Sequence, residues 1–128
     1  MLYPTVGKPM RSTRQIVHRA SEFLRTHAGE GVRIGEVSRA AGISERALRN
    51  AFHREHGLSP KQYDLRERLQ GVRQALRDGP ASATVTRIAS QYGFFELGRF
   101  AGIYKSMFGE SPSQTIRVRR TSRNASPC

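Results

Sequence analysis

Four side chains with hydrogen-bonding ends recur at helical spacing near the middle of the chain: Arg46, Arg49, Asn50 and His53. Residues three, four and seven positions apart lie on one face of a helix, so these four predict a single polar stripe. A guanidinium can donate two hydrogen bonds to guanine O6 and N7, and an amide can pair similarly with adenine. Any one of these residues could simply face solvent on an ordinary helix surface. That explanation fits the set of four less well.

The charge of the chain points to the same kind of partner. Lys and Arg number 22 against 10 Asp and Glu, which gives a net charge of +12. Such a protein repels itself unless an anionic partner screens it; nucleic acid is the first candidate and an anionic membrane surface the second. The only lysines are Lys8, Lys61 and Lys105. The excess of Arg favours nucleic acid, since guanidinium groups fork onto phosphates and guanine edges.

The polar stripe lies in one of about seven predicted helices, and no segment shows the alternation of a strand, so the predicted fold class is all-α. Ser12 and Gln15 form a capping-box pattern before the first helix, and Ser44 is placed to cap the third. The predicted helices cover about residues 13–26, 35–41, 45–56, 60–78, 86–92, 96–108 and 112–117.

An internal repeat is the strongest feature of the sequence. Leu48, Phe52, Gly57 and Ser59-Pro60 recur 52 positions later as Phe100, Tyr104, Gly109 and Ser111-Pro112. Upstream the offset is 51, because Val37, Gly42 and Ile43 pair with Ile88, Gly93 and Phe94, so the second copy has one extra residue after its turn. Each copy reads as short helix, Gly turn and longer helix. This is the helix-turn-helix plan, in which the second helix enters the major groove of DNA.

The repeat predicts two helix-turn-helix subdomains, at 12–59 and 79–117, joined by a connecting helix at 60–78. A flexible leader is predicted at 1–11 and a basic disordered tail at 118–128. The connecting helix would be roughly 28 Å long, and successive major grooves lie roughly 34 Å apart. One chain could therefore present both recognition helices to one side of a duplex if the DNA bends.

Several of these segments together resemble the DNA-binding domain of the AraC/XylS family of bacterial transcription regulators. The resemblance runs from about Ile16 to Arg117 and is most specific from Ile88 to Pro112. It implies two helix-turn-helix units joined by a long helix that read successive major grooves. The segments that carry it are Ala-Gly-Ile-Ser (41–44) with Leu48 and Phe52, Gly57 to Pro60 with Tyr63, Arg68-Leu69 with Arg73, Ile88-Ala89, Tyr92-Gly93-Phe94, and Phe100 through Tyr104 to Ser111-Pro112.

The candidate DNA-binding residues lie on the two recognition helices. By position, the resemblance implies base contacts from Ser44, Arg46, Arg49 and Asn50, and from Glu96, Leu97, Gly98 and Gly102. Leu97 and Ile103 could touch thymine methyl groups or be partly buried, and Gly102 fits either close approach to DNA or a module that mainly grips phosphates. The full candidate set is Ser44, Glu45, Arg46, Arg49, Asn50, His53, Glu96, Leu97, Gly98, Arg99, Gly102 and Lys105, with Thr84, Thr86, Arg66 and Arg73 as phosphate contacts; a solvated face is the simpler interpretation of the last two.

Other classes of function find less support. His53 and His56 share a helix face, but no Cys stands nearby to complete a zinc site. Cys128 has no neighbouring His, so no catalytic residue, metal or cofactor is predicted, and the chain is not expected to be an enzyme. The alternative function is nonspecific binding of RNA or nucleoid DNA through basic charge, although the aromatic residues lie at core spacing and not where RNA bases would stack.

The predicted main partner is double-stranded DNA. RNA polymerase and a separate ligand-sensing or dimerisation domain are further partners that the resemblance implies. No membrane partner is expected, because the chain contains no apolar run of spanning length. A single Cys and the lack of an apolar signal segment in residues 1–10 predict a cytoplasmic, nucleoid-associated protein.

Overall fold

Seven α-helices and no strands make up residues 12–28 and 30–125, the part of the chain that the computed structural model describes. The all-α prediction is confirmed. The first six helices begin and end within one residue of their predicted bounds, while the predicted leader, 1–11, lies outside the described residues. The helices are α1 (Thr13–Thr26), α2 (Ile34–Ala41), α3 (Glu45–His56), α4 (Pro60–Asp78), α5 (Val85–Gln91), α6 (Leu97–Phe108) and α7 (Pro112–Ala125).

The seventh helix corrects one prediction. It was expected to end near residue 117, with a disordered tail from 118, but α7 continues to Ala125. No Gly or Pro stands between Pro112 and Pro127 to end the helix. The absence of helix breakers therefore outweighs the basic, polar composition of residues 118–125, and residues 126–128 lie outside the described part.

The chain divides into two compact units, residues 1–65 and 66–128, and the division falls inside α4. The first turns of the predicted connecting helix thus belong with the first unit and the remainder with the second. Within the described residues, no helix is both long and apolar enough to cross a lipid bilayer.

Helices α1, α2 and α3 enclose the core of the first unit. Phe52 is fully buried and meets the ring of Tyr63 edge-on, with 5.4 Å between the ring centroids. His56 stacks on Tyr63, with 4.3 Å between the ring centroids, and lies 6.5 Å from the ring of Phe52. The buried residues of this cluster are Val17, Ala20, Val37, Leu48, Ala51 and Phe52.

The repeat seen in the sequence is also a repeat in local structure. The turn glycines Gly42 and Gly93 have φ of 74° and 85°, a left-handed conformation that side chains with a Cβ avoid. The Ser-Pro pairs open helices through equivalent capping boxes. Ser59 and Gln62 exchange two backbone-to-side-chain hydrogen bonds, of 3.0 and 3.1 Å, and Ser111 and Gln114 exchange the equivalent pair, of 2.7 and 3.1 Å.

The core of the second unit is formed by the inner faces of α4, α5, α6 and α7. Its buried residues include Leu69, Val72, Leu76, Ile88, Phe94, Phe100, Tyr104 and Ile116. The hydroxyls of Tyr104 and Thr115 are 2.8 Å apart in this core. Burial raises the pKa of the Tyr104 phenol above its ordinary value, so the folded unit favours the neutral form. The stability from this group is present at neutral pH and is lost as pH rises through the raised pKa.

Gly71 fills a position in α4 where even a methyl group would not fit. A Cβ there would lie 2.4 Å from a ring carbon of Tyr92. Replacing a mid-helix Gly by Ala normally stabilises a helix by about 1 kcal/mol. We expect Gly71→Ala to do the opposite and lower the free energy of unfolding by about 1–3 kcal/mol, because the Tyr92 ring must move. Urea unfolding would measure this; a stabilised variant would contradict the packing described here.

Candidate nucleic-acid interface

Helix α3 carries the polar stripe on a face held away from the core. Ser44 caps the helix by accepting a 3.0 Å hydrogen bond from the amide of Ala47. Leu48, Ala51 and Phe52 are buried, which fixes the rotation of the helix about its axis. The opposite face is therefore exposed, and it holds every predicted residue of this helix, namely Ser44, Glu45, Arg46, Arg49, Asn50 and His53.

Glu45 links the two helices of the first motif. One of its carboxylate oxygens lies 3.3 Å from an Arg49 guanidinium nitrogen. A Cβ built on Gly35 would lie 3.1 Å from the other oxygen, which places the carboxylate beside the first turn of α2. Free amides at the start of a helix favour a negative charge. The Arg49 side chain is 55% exposed and the Glu45 side chain 47% exposed. An ion pair this exposed contributes little to stability, so a DNA group can compete with Glu45 for Arg49 at small cost.

Helix α6 presents the second set of predicted residues, and all of them are exposed: Glu96, Leu97, Gly98, Arg99, Gly102 and Lys105. Phe100 and Tyr104 are buried and hold the opposite face. Glu96 is the N-cap residue, although its side chain forms no capping hydrogen bond. Gly98, Gly102 and Lys105 follow one another at spacings of four and three, so two successive positions on the outer face of α6 lack a side chain.

The packing of α6 does not require its two glycines. A Cβ on Gly98 or Gly102 would meet no atom within 4 Å. We expect Gly102→Ala to raise the free energy of unfolding by about 0.5–1 kcal/mol, since Ala restricts the unfolded chain and favours the helix. Chemical denaturation of Gly102→Ala and Gly71→Ala under the same conditions gives the test. The change from Gly to Ala should raise the free energy of unfolding at position 102 and lower it at position 71. Destabilisation at Gly102 would show that the helix face is occupied by other parts of the chain.

Phe95 is a candidate that the sequence analysis did not single out. Its side chain is 66% exposed, while the neighbouring Phe94 is buried against Phe100, with 4.9 Å between ring centroids. The repeat contained a signal for this residue. In the repeat, Phe94 aligns with Ile43, and the N-cap residue Glu96 aligns with Ser44. Phe95 is therefore the one extra residue of the second copy, and no residue of the first copy aligns with it.

The four predicted phosphate contacts fall into two kinds of environment. Thr84 and Thr86 are exposed at the start of α5, where the Thr84 hydroxyl oxygen accepts a 3.1 Å hydrogen bond from the Arg87 amide. The Thr84 hydroxyl proton remains able to donate. Arg66 and Arg73 are half-buried, and the Arg73 guanidinium lies 4.8 Å from the centroid of the Phe108 ring. The interpretation of Arg73 as part of a solvated face is therefore wrong, because this side chain packs within the second unit.

The histidines considered as metal ligands are placed differently from each other. His53 is exposed on α3, whereas His56 stacks on Tyr63. Across residues 12–28 and 30–125, no three His, Cys, Asp or Glu side chains come together in a group that could hold a metal ion. His53 lies on the same exposed face of α3 as Arg46 and Arg49.

Two helix pairs with Gly turns, each with an exposed second helix, define the helix-turn-helix class of DNA-binding proteins. Residues 37–118 match the family described as Helix-turn-helix domain. The chain is 39% identical over 112 residues to a probable thc operon regulatory protein from Rhodococcus erythropolis, and 37% identical over 100 residues to a XylDLEGF operon transcriptional activator from Pseudomonas putida. These alignments cover 87% and 77% of the chain, but only 34% and 31% of the two relatives.

Solved structures agree with this assignment. A probable AraC family transcriptional regulator from Rhodopseudomonas palustris has a TM-score of 0.68 at 36% identity, over 81% of this chain and 96% of that one. A regulator from Chromobacterium violaceum has a TM-score of 0.74 at 23% identity, over 91% and 97%, and shows the shared fold. The chain belongs to the AraC/XylS family of transcription regulators and carries its helix-turn-helix DNA-binding domain. It spans about a third of the length of the curated relatives it matches.

Proposed function

We propose that this chain binds double-stranded DNA in a sequence-specific manner and thereby regulates bacterial transcription, with α3 as its principal reading helix. One observation carries the proposal: Arg46, Arg49, Asn50 and His53 share an exposed face of α3 while the opposite face is buried. Arg and Asn are the side chains best suited to paired hydrogen bonds with guanine and adenine. The net charge of +12 adds attraction to the phosphates.

The second part of the proposal concerns α6. Each unit contains a second helix with an exposed outer face, and the boundary between the units falls within α4, which has 19 residues. A helix of that length measures about 28 Å, close to the roughly 34 Å between successive major-groove faces. We propose that one monomer inserts α3 and α6 into successive major grooves of a duplex that bends.

Nonspecific binding driven by charge is the second candidate function. The two glycines on the outer face of α6 favour it, since Gly98 and Gly102 offer no side-chain donor to a base. In that case the second unit would grip phosphates, and affinity would fall steeply with salt for every sequence alike. The polar stripe of α3 favours the sequence-specific alternative.

Selection from a random pool of duplex DNA at physiological salt separates these functions. Two enriched clusters of bases about one helical turn apart are expected if both units read sequence. A single cluster would limit base reading to one unit. Binding without any enrichment would overturn sequence-specific recognition, and competition by structured RNA as strong as that by duplex DNA would point to an RNA-binding protein.

A further inference from the structure

Two apolar side chains lie exposed at the amino end of α6. Phe95 precedes the N-cap residue and is 66% exposed, and Leu97, the first residue of the helix, is 39% exposed. In the same motif the aromatic rings of Phe94, Phe100 and Tyr104 are buried, and those of Tyr92 and Phe108 are partly buried. Single exposed apolar side chains are common on protein surfaces, so the position of these two in the motif carries the inference.

Phe95 and Leu97 flank the N-cap residue of the second helix of the motif. The first turn of the second helix in this motif is the part that meets base edges in the major groove. The apolar group presented by base pairs in that groove is the 5-methyl group of thymine. We propose that the second unit recognises thymine through its methyl group, with Phe95 and Leu97 as the residues that determine this specificity. The inference rests on the proposed function, because it names the base that the second unit reads.

The outer face of α6 supports recognition by contact of apolar surfaces. Gly98 and Gly102 expose helix backbone with open space beside it, so the helix can approach DNA more closely than one that bears side chains there. The first side chain of this stripe able to donate a hydrogen bond is that of Lys105, two turns from the helix start. Arg99 is also exposed in the first turn of α6, where its guanidinium could donate to phosphates. In this proposal α6 recognises its base by contact with a methyl group, whereas α3 recognises bases by hydrogen bonds.

Deoxyuridine provides the test, because it lacks the methyl group of thymidine and keeps every hydrogen-bonding atom. The site is the duplex selected from the random pool, and the half-site of the second unit is the base cluster whose enrichment survives Arg49→Ala. Replacing a contacted thymine there by deoxyuridine is expected to weaken binding about four-fold. Phe95→Ala or Leu97→Ala should remove this difference for the thymine that the residue contacts. Met107→Ala, which truncates another exposed apolar residue of α6, should keep it.

Each other outcome has a definite meaning. Equal binding of thymidine and deoxyuridine sites by the unmodified chain would overturn the inference and leave sequence reading by α3 in place. A difference that persists in both Phe95→Ala and Leu97→Ala would assign the methyl contact to other residues and also overturn it. Enrichment of one cluster that Arg49→Ala abolishes would show that the second unit does not read bases. No enrichment at all would overturn the proposed function as well. If Leu97→Ala proves unstable in thermal unfolding, the more exposed Phe95→Ala still decides the question.

Discussion

Binding to the preferred duplex is expected to weaken by about 1–3 kcal/mol, roughly a factor of five to 150, when Arg49 is replaced by Ala. The guanidinium lies on the exposed face of α3, where a base edge can accept two hydrogen bonds from it. Loss of this side chain should also relax the choice of base at one or two positions. Fluorescence anisotropy with the selected duplex and with single-base variants would measure both effects.

Arg25→Ala is the matched control for this substitution. Arg25 on α1 forms an ion pair with Glu22 at 3.3 Å, the same distance as Arg49 to Glu45, and is similarly exposed. Both variants lose one positive charge and one surface ion pair, but only Arg49 belongs to the reading helix. Two results would show that Arg49 acts through charge alone. One is an equal loss of binding free energy in Arg49→Ala and Arg25→Ala, and the other is a loss for Arg49→Ala that is as large on random DNA as on the preferred duplex.

Truncation of Phe52 to Ala is expected to lower the free energy of unfolding by about 3–5 kcal/mol. Phe52 is completely buried among α1, α2 and α3, and its ring contacts Tyr63, so the substitution leaves a cavity at the centre of the first unit. Small domains are stable by only about 5–15 kcal/mol in total. Unfolding in urea, followed by circular dichroism, should show the loss, and α3 should no longer be held in a DNA-binding position.

Phe95→Ala makes the identical chemical change on the surface. Its 66% exposed side chain contributes little to the core, so stability should change by no more than about 0.5 kcal/mol. The pair of variants thus separates folding from recognition, because one should impair the fold and the other only the contact proposed for thymine. Similar destabilisation by both would contradict the burial assigned to these two rings.

Most of the secondary structure could be predicted from the sequence because the signals that define helices are local. Ser12 and Ser44 cap the helices that follow them, and Gly42 and Gly93 end helices in a left-handed conformation. Apolar residues at helical spacing also fix which face turns inward. All twelve predicted DNA-binding residues on α3 and α6 are exposed for that reason; their contacts with DNA remain a prediction.

Residues whose environment depends on distant parts of the chain were harder to predict. Arg73 is a surface residue by type, yet its guanidinium covers the ring of Phe108, and Arg68 covers Phe94 at 4.7 Å. Phe95 is a core residue by type, yet it is exposed. Side chains separated by about 25 to 35 positions decide these environments, and no periodic pattern encodes such pairs.

The sequence by itself determined the class of fold, the two repeated motifs and the outward faces of α3 and α6, because these follow from interactions within a few residues along the chain. Only the tertiary structure decided which of two mid-helix glycines is indispensable. Gly71 faces the Tyr92 ring and Gly102 faces open space, although both are glycines within helices. The physical reason is that helix packing brings together residues far apart in sequence, and the space left at each position depends on the partner that arrives there.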